Sequence, residues 1–324
     1  MSALLQIADL RVRFATRHGP VTALDGVSLH VDAGETLGIV GESGCGKSIT
    51  ALSIMGLIPS PPGRIAGGAI RLAGEDLTQA SEARMRALRG AEIAMIFQEP
   101  MTSLNPVFTV GDQIAEAIML HQNVGRDRAF RDAVALLDRV GIPSPDRRAR
   151  DYPHQLSGGM RQRVMIAMAV SCRPRVLIAD EPTTALDVTV QAQIFDLLNE
   201  IQRDVGAAII LITHDMGAIS EMADRVAVMY AGRVIEEGRA DDVLDHPQHP
   251  YTRGLIACIP ALGKAEDTLR EIPGVVPPLH LLGAGCAFAD RCAHRAPRCT
   301  AETPPLQRHG HHPVACHAVA EGRI

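Results

Sequence analysis

The feature that most constrains this chain is the run Gly41-Glu-Ser-Gly-Cys-Gly-Lys-Ser48, which fits the pattern G-x-x-x-x-G-K-[ST]. It follows the apolar run Thr36–Val40, which is typical of a strand buried on both faces, and a helical pattern begins near Lys47. In this setting glycines let backbone N–H groups point inward at phosphate oxygens. The pattern predicts a phosphate-binding loop, with Lys47 at the β- and γ-phosphates and Ser48 on Mg²⁺. The residues expected around the nucleotide are Gly41, Glu42, Ser43, Gly44, Cys45, Gly46, Lys47, Ser48 and Ile49.

An acidic pair lies farther along the chain, after another apolar run. Val176–Ala179 has the character of a buried strand, and Asp180 and Glu181 follow at its carboxyl end. The first carboxylate of such a pair is placed to hold Mg²⁺, and the second is placed to polarise a water molecule for attack on the γ-phosphate. We therefore expect Asp180 to bind the metal ion and Glu181 to act as the base.

The order of apolar runs along the chain indicates the fold class. Short alternating runs near the N-terminus predict strands, and later apolar runs alternate with helical patterns, which is typical of an α/β protein with a covered parallel sheet. Between about residues 99 and 173 apolar residues fall at helical spacing, so we expect an inserted helical subdomain. Residues 247–324 are rich in proline and cysteine, which favours a loop-rich unit over long helices.

Charge and hydropathy exclude several classes of protein. The net charge is −5, from 32 Lys and Arg against 37 Asp and Glu, and no long basic run occurs, so we expect no nucleic-acid partner. No apolar run reaches the roughly 18 residues of a membrane-spanning helix, and we see no signal peptide. We expect a cytoplasmic chain whose seven cysteines are free thiols or metal ligands.

One further motif points to a particular family. The segment Leu156-Ser-Gly-Gly-Met-Arg-Gln-Arg163 lies between the phosphate-binding loop and the Asp180 run, and it resembles the signature sequence of ATP-binding cassette (ABC) ATPases. The resemblance implies that Ser157, Gly158 and Gly159 cap the γ-phosphate held by a facing subunit. Two ATP molecules would then join two ATPase heads, and hydrolysis would release them.

Four other residues agree with that resemblance, and it implies a role for each. Gln98 resembles the Q-loop glutamine near Mg²⁺, and Asp187 resembles the D-loop aspartate. His214 resembles the switch histidine that contacts the γ-phosphate, and Phe14 stands where an aromatic side chain stacks on adenine. We expect Gln98, Glu181 and His214 to form the catalytic set, and Ser48, Gln98 and Asp180 to hold Mg²⁺.

The resemblance also implies the architecture. We expect a P-loop NTPase with a RecA-like core, an antiparallel β subdomain and the inserted helical ABC subdomain. The ATPase domain would span residues 1–250, with the helical subdomain at about 99–173, and residues 251–324 would form a Cys- and Pro-rich C-terminal extension.

Four segments resemble the ATP-binding subunits of dipeptide, oligopeptide and nickel importers: Gln98–Pro106, Asp151–Gly159, Ala179–Asp187 and His249–Thr252. The resemblance implies two transmembrane permease subunits, a second and different ATP-binding subunit, an extracytoplasmic solute-binding protein, and a peripheral position on the cytoplasmic face of the bacterial inner membrane. We expect Met101–Val110 to receive cytoplasmic helices of the permeases. Short peptides are the first choice of substrate, and glutathione and nickel stay open.

The sequence does not support two other classes of ABC protein. A soluble DNA-repair or chromosome ATPase would need a long coiled coil between the loop and the signature, where no sustained heptad run occurs. A ribosome-associated factor would need two tandem heads, and this chain has one phosphate-binding loop.

The cysteines raise two further expectations. Cys286, Cys292, Cys299 and Cys316 resemble the cysteines of peptide-importer extensions; we favour a [4Fe–4S] cluster over Zn²⁺, whose usual paired spacing is absent, and free thiols stay open. Cys45 lies at a helix N-terminus, where thiol pKa values tend to fall, so we expect alkylation of Cys45 to inactivate the ATPase.

Overall fold

The computed structural model describes residues 3–17, 19–98, 103–184, 186–258 and 271–324, which fall into two compact units. One unit draws on Met1–Val31, Thr36–Thr78 and Thr213–Ile324, and the other on Asp32–Glu35 and Gln79–Ile212. The strands of the described residues are β1 (Leu5–Thr16), β2 (Gly19–Val31), β3 (Thr36–Val40), β4 (Gly63–Leu72), β5 (Glu75–Asp76), β6 (Ile93–Ile96), β7 (Val176–Asp180), β8 (Ala208–Thr213), β9 (Arg225–Tyr230), β10 (Arg233–Arg239), β11 (Gln307–His309) and β12 (His312–Val314).

The α-helices alternate with these strands. Those of the described residues are Lys47–Ile54, Glu82–Leu88, Val110–Gln122, Arg126–Arg139, Pro145–Arg148, Gly158–Val170, Val188–Val205, Met216–Met222, Ala240–Asp245, Pro250–Ala257, Pro297–Ala301 and His317–Ala320. Short 3₁₀ turns occur at Leu77–Gln79, Pro153–Gln155, Leu279–Leu281 and Ala289–Arg291.

The first unit contains an antiparallel sheet of four strands in the order β2-β1-β4-β5. The two alternating runs near the N-terminus form the single strand β1, because Asp9 takes a left-handed backbone (φ 48°) and lets the register shift there. Leu5, Ile7, Leu10 and Val12 of this strand are buried, as the alternating pattern predicts.

A second sheet in the same unit carries the phosphate-binding loop. Its strands run β11-β12-β10-β9-β3, with β3 and β9 parallel and the other pairs antiparallel. All five residues of Thr36–Val40 are buried, as the unbroken apolar run predicts. The hairpin β11–β12 belongs to the cysteine-rich tail, so the tail extends the sheet that contains β3.

The second unit has a parallel sheet in the order β8-β7-β6, whose strands are almost entirely buried. The described residues from 103 to 173 contain helices and no strand, which agrees with the expected α-helical texture there. Side chains cap the N-termini of two of these helices: Thr109 accepts a hydrogen bond from Asp112 N, and Ser157 accepts one from Met160 N. Buried parallel strands that alternate with helices confirm the predicted α/β class. No helix in the described ranges is long and apolar enough to cross a membrane.

A buried carboxylate joins the tail to β10 within the first unit. Glu236 of β10 has no exposed surface, and it accepts hydrogen bonds from the backbone N–H groups of Gln248 (2.6 Å) and His249 (3.0 Å). Its Oε1 also lies 2.6 Å from Nε2 of His312, a buried residue of β12. A buried carboxylate is costly unless such donors surround it, so these contacts fix how the tail lies on β10.

Because Glu236→Ala leaves these donors buried without an acceptor, we expect it to lower the free energy of unfolding by about 3 kcal/mol. The measurement is chemical denaturation of the full chain. Asp290→Ala is the control: Asp290 is 80% exposed in its pair with Arg295, and its loss should cost less than about 1 kcal/mol. Equal effects of the two substitutions would contradict the assigned role of Glu236.

Candidate active site

The loop Gly41–Ser48 connects β3 to the helix Lys47–Ile54, as predicted. Gly41 and Gly46 have positive φ angles of 150° and 109°. A Cβ atom at Gly41 would lie 2.3 Å from the carbonyl oxygen of Met229, and one at Gly46 would lie 2.6 Å from Leu24 Cδ2. Side chains therefore have no room at these two positions, whereas Gly44 has open space where a Cβ would stand. The backbone therefore makes the tight glycine turn that is typical of a loop that binds a polyphosphate.

Lys47 is held inside this loop. Its side chain is buried, and Nζ donates hydrogen bonds to the carbonyl oxygens of Gly41 (2.7 Å) and Glu42 (3.2 Å). A charged ammonium group is thus fixed among backbone acceptors at the start of a helix, where the helix dipole also favours an anion. Ser43 and Gly44 are exposed next to it, and Ser48 is half-buried in the first turn of the helix. This arrangement fits phosphate binding.

The low thiol pKa expected for Cys45 is not found, whereas the expected inactivation by alkylation stays a prediction. The residue is 1% exposed, and burial raises the pKa of its thiol, although the charge of Lys47 acts in the opposite direction. Desolvation of the thiolate therefore outweighs the helix N-terminus and the nearby cation. The thiol of Cys45 is protonated and shielded at neutral pH, and the loop contains no activated nucleophile at this position.

Three predicted residues of the second unit come together at the end of β7. Asp180 is buried as the last residue of the strand, and Glu181 follows with a left-handed backbone (φ 47°), which is uncommon for a residue other than glycine. Gln98 Nε2 donates a hydrogen bond of 2.9 Å to Glu181 Oε2. Thr184 Oγ1 donates a second one of 2.9 Å to the same oxygen. The Glu181 carboxylate is therefore oriented by two side chains.

The signature segment begins a helix, as predicted. Ser157 and Gly158 are exposed, and Ser157 is the N-cap of the helix Gly158–Val170. A Cβ at Gly159 would lie 3.2 Å from Val190 Cγ1, so the small residue allows close packing of the helix Val188–Val205. Asp187 caps that second helix by accepting a hydrogen bond of 2.9 Å from Val190 N. The signature helix thus lies against the helix that Asp187 caps.

The two remaining predicted residues lie in the first unit. His214 directly follows β8 and is exposed. Phe14 is half-buried in β1, and a Cβ on the neighbouring Gly63 would lie 2.6 Å from Phe14 Cε1. The ring of Phe14 therefore has glycine as its neighbour on β4.

The four tail cysteines lie within electrostatic reach of one another. Burial, with a smaller contribution from the charges of the other three cysteines, raises the pKa of Cys286 to about 11. Burial also raises the pKa values of Cys292 and Cys316. Within the described ranges, however, no group of three or more His, Cys, Asp or Glu side chains is placed to hold a metal ion. The described side chains therefore show no ligand set placed for a [4Fe–4S] cluster or Zn²⁺.

Sequence reasoning missed three residues around the site. Thr184 stands three residues after Glu181, and its hydroxyl offers no pattern that distinguishes it from an ordinary loop residue. Tyr251 and Arg291 both contact Glu42 of the phosphate-binding loop, at distances of 2.8 Å and 2.6 Å. A signal for Arg291 was present in Glu42 itself, because a carboxylate inside a phosphate-binding loop calls for a counter-charge.

Solved structures with a similar fold are ATP-binding cassettes. One is the dimeric post-hydrolysis cassette MJ0796 bound to ADP and Pi, with a TM-score of 0.66 and 24% identity over 73% of this chain and 98% of that one. Another is cbiO1 from Clostridium perfringens, part of the ABC transporter complex cbiONQ, with a TM-score of 0.63 and 27% identity over 76% of this chain and 92% of that one. The fold is therefore that of an ABC cassette.

Sequence comparison gives the group within this class. The family model of the ABC transporter matches residues 24–184, and that of the oligopeptide/dipeptide transporter C-terminal region matches residues 235–299. The oligopeptide transport ATP-binding protein AppD of Bacillus subtilis is 50% identical, covering 95% of this chain and 94% of its own length. The dipeptide transport ATP-binding protein DppD of Bacillus subtilis is 48% identical, covering 99% of each. The chain belongs to the oligopeptide/dipeptide family of ABC-transporter ATP-binding proteins, and it binds and hydrolyses ATP with Mg²⁺.

The burial of Cys45 predicts how the native chain reacts with alkylating reagents. We expect iodoacetamide at neutral pH to label Cys45 at least about tenfold more slowly than the half-buried Cys172 and Cys258, because the Cys45 thiol is protonated and inaccessible. Peptide mass spectrometry after timed quenching measures the three rates. Stoichiometric labelling of Cys45 in the folded chain would contradict this expectation.

Proposed function

We propose that this chain is a peripheral motor subunit that uses ATP to drive the import of short peptides through separate permease subunits. The observation that carries the proposal is the joint presence, in one chain, of the phosphate-binding loop and a C-terminal region that matches the oligopeptide/dipeptide transporter family. The names of AppD and DppD, which refer to oligopeptide and dipeptide transport, support peptides as the substrate class.

In this proposal each half of the hydrolytic site has its own task. The loop Gly41–Ile49 holds the phosphates, with Lys47 at the β- and γ-phosphates, and Phe14 stacks on adenine. Ser48, Gln98 and Asp180 hold Mg²⁺, which would neutralise charge on the phosphate oxygens when bound. Their oxygen donors are of the kind that Mg²⁺ prefers.

The hydrolytic water is activated by Glu181. The hydrogen bonds from Gln98 and Thr184 to Oε2 orient the carboxylate that accepts the proton of the water. His214 contacts the γ-phosphate, and this contact keeps the water in line with the bond that breaks. The strained backbone of Glu181 supports this role, because residues with unfavourable φ angles cluster at active sites.

A facing subunit completes the site. Ser157, Gly158 and Gly159 cap the γ-phosphate bound by the partner, and Asp187 lies beside them at the same interface. The helix N-terminus supports this arrangement, because Ser157 and Gly158 are exposed there and the positive end of a helix dipole favours an anion. The partner is a second, related ATP-binding subunit. The division of the chain into residues 1–250, with its helical subdomain, and an extension at 251–324 belongs to the same proposal.

The permeases bind the segment after Gln98. Met101 and Thr102 of the expected docking segment lie outside the described residues. Val107 and Phe108 are 70% and 53% exposed, although both are large and apolar. Gln113 holds this turn by bonding Asn105 N and O (2.9 Å each) and Phe108 O (3.1 Å). A rigid turn that presents apolar side chains supports a docking role.

The assembly would lie on the cytoplasmic face of the bacterial cell membrane, with an extracytoplasmic solute-binding protein on the other side.

The test is the complete assembly, with both permeases, in proteoliposomes. We expect ATP hydrolysis to rise when the solute-binding protein carries short peptides, and not when nickel or glutathione replaces them. Glu181→Gln should lower turnover by about 100-fold or more and still allow the ATP-bound dimer, because the substitution removes the base and leaves the phosphate contacts. Stimulation by nickel or glutathione alone would reassign the substrate, and full turnover of Glu181→Gln would contradict the catalytic assignment.

The metal centre expected at the tail cysteines is a prediction of the sequence alone. If the cluster is bound, the anaerobically purified protein should be brown and contain about four iron atoms per chain, and Cys292→Ala should abolish the colour. The side-chain arrangement described above favours the opposite result, an iron-free protein with titratable thiols. Iron and thiol analysis of the same preparation decides between the two.

A further inference from the structure

Glu42 places a negative charge inside the loop that must accept a polyphosphate. The residue directly follows Gly41, and its carbonyl oxygen is one of the two that hold Lys47. An unbalanced carboxylate at this position would repel the phosphates, because two like charges a few ångströms apart interact strongly where water is partly excluded. ATP binding therefore requires something to balance and hold this carboxylate.

Arg291 of the C-terminal tail pairs with this carboxylate through both ends of its guanidinium group. Nη1 donates a hydrogen bond of 2.6 Å to Glu42 Oε2, and Nη2 donates one of 3.1 Å to Oε1. The arginine side chain is 4% exposed and that of Glu42 is 31% exposed. This bidentate pairing fixes direction as well as charge, which a lysine cannot do in the same way.

The surroundings of Arg291 fix its position. Its Nε donates to Pro273 O (2.8 Å) and its Nη2 to Ile272 O (3.2 Å), so the guanidinium group is bonded to the tail on one side and to Glu42 on the other. The group also lies over the rings of Tyr230 and Phe288, at 5.9 Å and 5.7 Å from their centroids. The hydrogen bonds to Glu42 are the main reason that the pKa of Arg291 is raised. The positive charge is permanent.

A second contact holds the backbone of the same loop residue. Glu42 N donates a hydrogen bond of 2.8 Å to the hydroxyl oxygen of Tyr251, which is fully buried. Burial raises the pKa of this hydroxyl, so it stays neutral. The side chain, the amide and the carbonyl group of Glu42 are thus each held, by Arg291, Tyr251 and Lys47 respectively.

We propose that Arg291 is a positioning residue of the ATP site, which neutralises Glu42 and holds the first turn of the phosphate-binding loop in its receptive form. The tail therefore contributes to nucleotide affinity from a position that need not touch ATP. By linkage, ATP binding also favours the state in which the tail is docked on the loop. The proposal requires only ATP binding, so it can fail while peptide import holds, and the reverse is equally possible.

The test compares two arginines of the tail in the full-length chain. We expect Arg291→Gln to weaken binding of a fluorescent ATP analogue with Mg²⁺ by about tenfold, which corresponds to about 1.4 kcal/mol. Arg295→Gln is the matched control, because Arg295 lies four residues away, is 50% exposed and pairs with Asp290 at the surface. It should change the affinity by less than about twofold.

Two further measurements separate a charge effect from general loosening of the fold. In a Glu42→Gln background, adding Arg291→Gln should change the affinity by less than about threefold, because no carboxylate is left to neutralise. The defect of Arg291→Gln alone should shrink as salt rises, since salt screens the repulsion between carboxylate and phosphate. If Arg291→Gln does not fold, Arg291→Lys tests the geometry instead: it keeps the charge and loses the bidentate pairing, so it should weaken binding by more than Arg295→Gln does.

Three results would overturn the proposal. The first is unchanged ATP affinity in folded Arg291→Gln. The second is an equal loss of affinity with and without the Glu42 carboxylate. The third is a defect that is independent of ionic strength, which would assign Arg291 to the stability of the tail alone.

Discussion

The backbone turn of the phosphate-binding loop is the constraint on which the rest of the site depends. Gly41 and Gly46 take positive φ angles at points where the main chain of Met229 and the side chain of Leu24 leave no room for a Cβ atom. The same turn brings two carbonyl oxygens to the ammonium group of Lys47. One backbone conformation thus sets the shape of the anion cradle, the position of its cation and the start of the helix behind it.

Buried polar contacts join the tail to the ATPase core. Glu236 accepts hydrogen bonds from two backbone N–H groups and pairs with a histidine of β12. Arg291 donates a hydrogen bond to the carboxylate of Glu42 in the phosphate-binding loop. Apolar packing alone would permit many orientations of a loop-rich segment. Buried charged groups permit few orientations, because each of them must find a partner in a low-dielectric environment. These contacts therefore specify one position for the tail.

The parts of the fold that the sequence predicted are those encoded by local patterns. Thr36–Val40 and Val176–Ala179 are unbroken apolar runs, and both form buried strands. Ser157 has the small hydroxyl side chain typical of an N-cap, and a helix begins after it. No local pattern predicted that the tail would extend the sheet that contains β3, since β12 is only three residues long and includes Pro313. Cys45 was misjudged because burial depends on distant parts of the chain, whereas its place at a helix N-terminus can be read locally.

The contact between Glu42 and Arg291 spans 249 positions of the sequence. During synthesis Glu42 of the phosphate-binding loop therefore leaves the ribosome 249 residues ahead of the arginine that holds it. A nascent chain therefore contains every residue of the nucleotide-contacting loop long before that loop has its full set of partners. A chain truncated before Arg291 would therefore carry the intact motif without the arginine that holds Glu42.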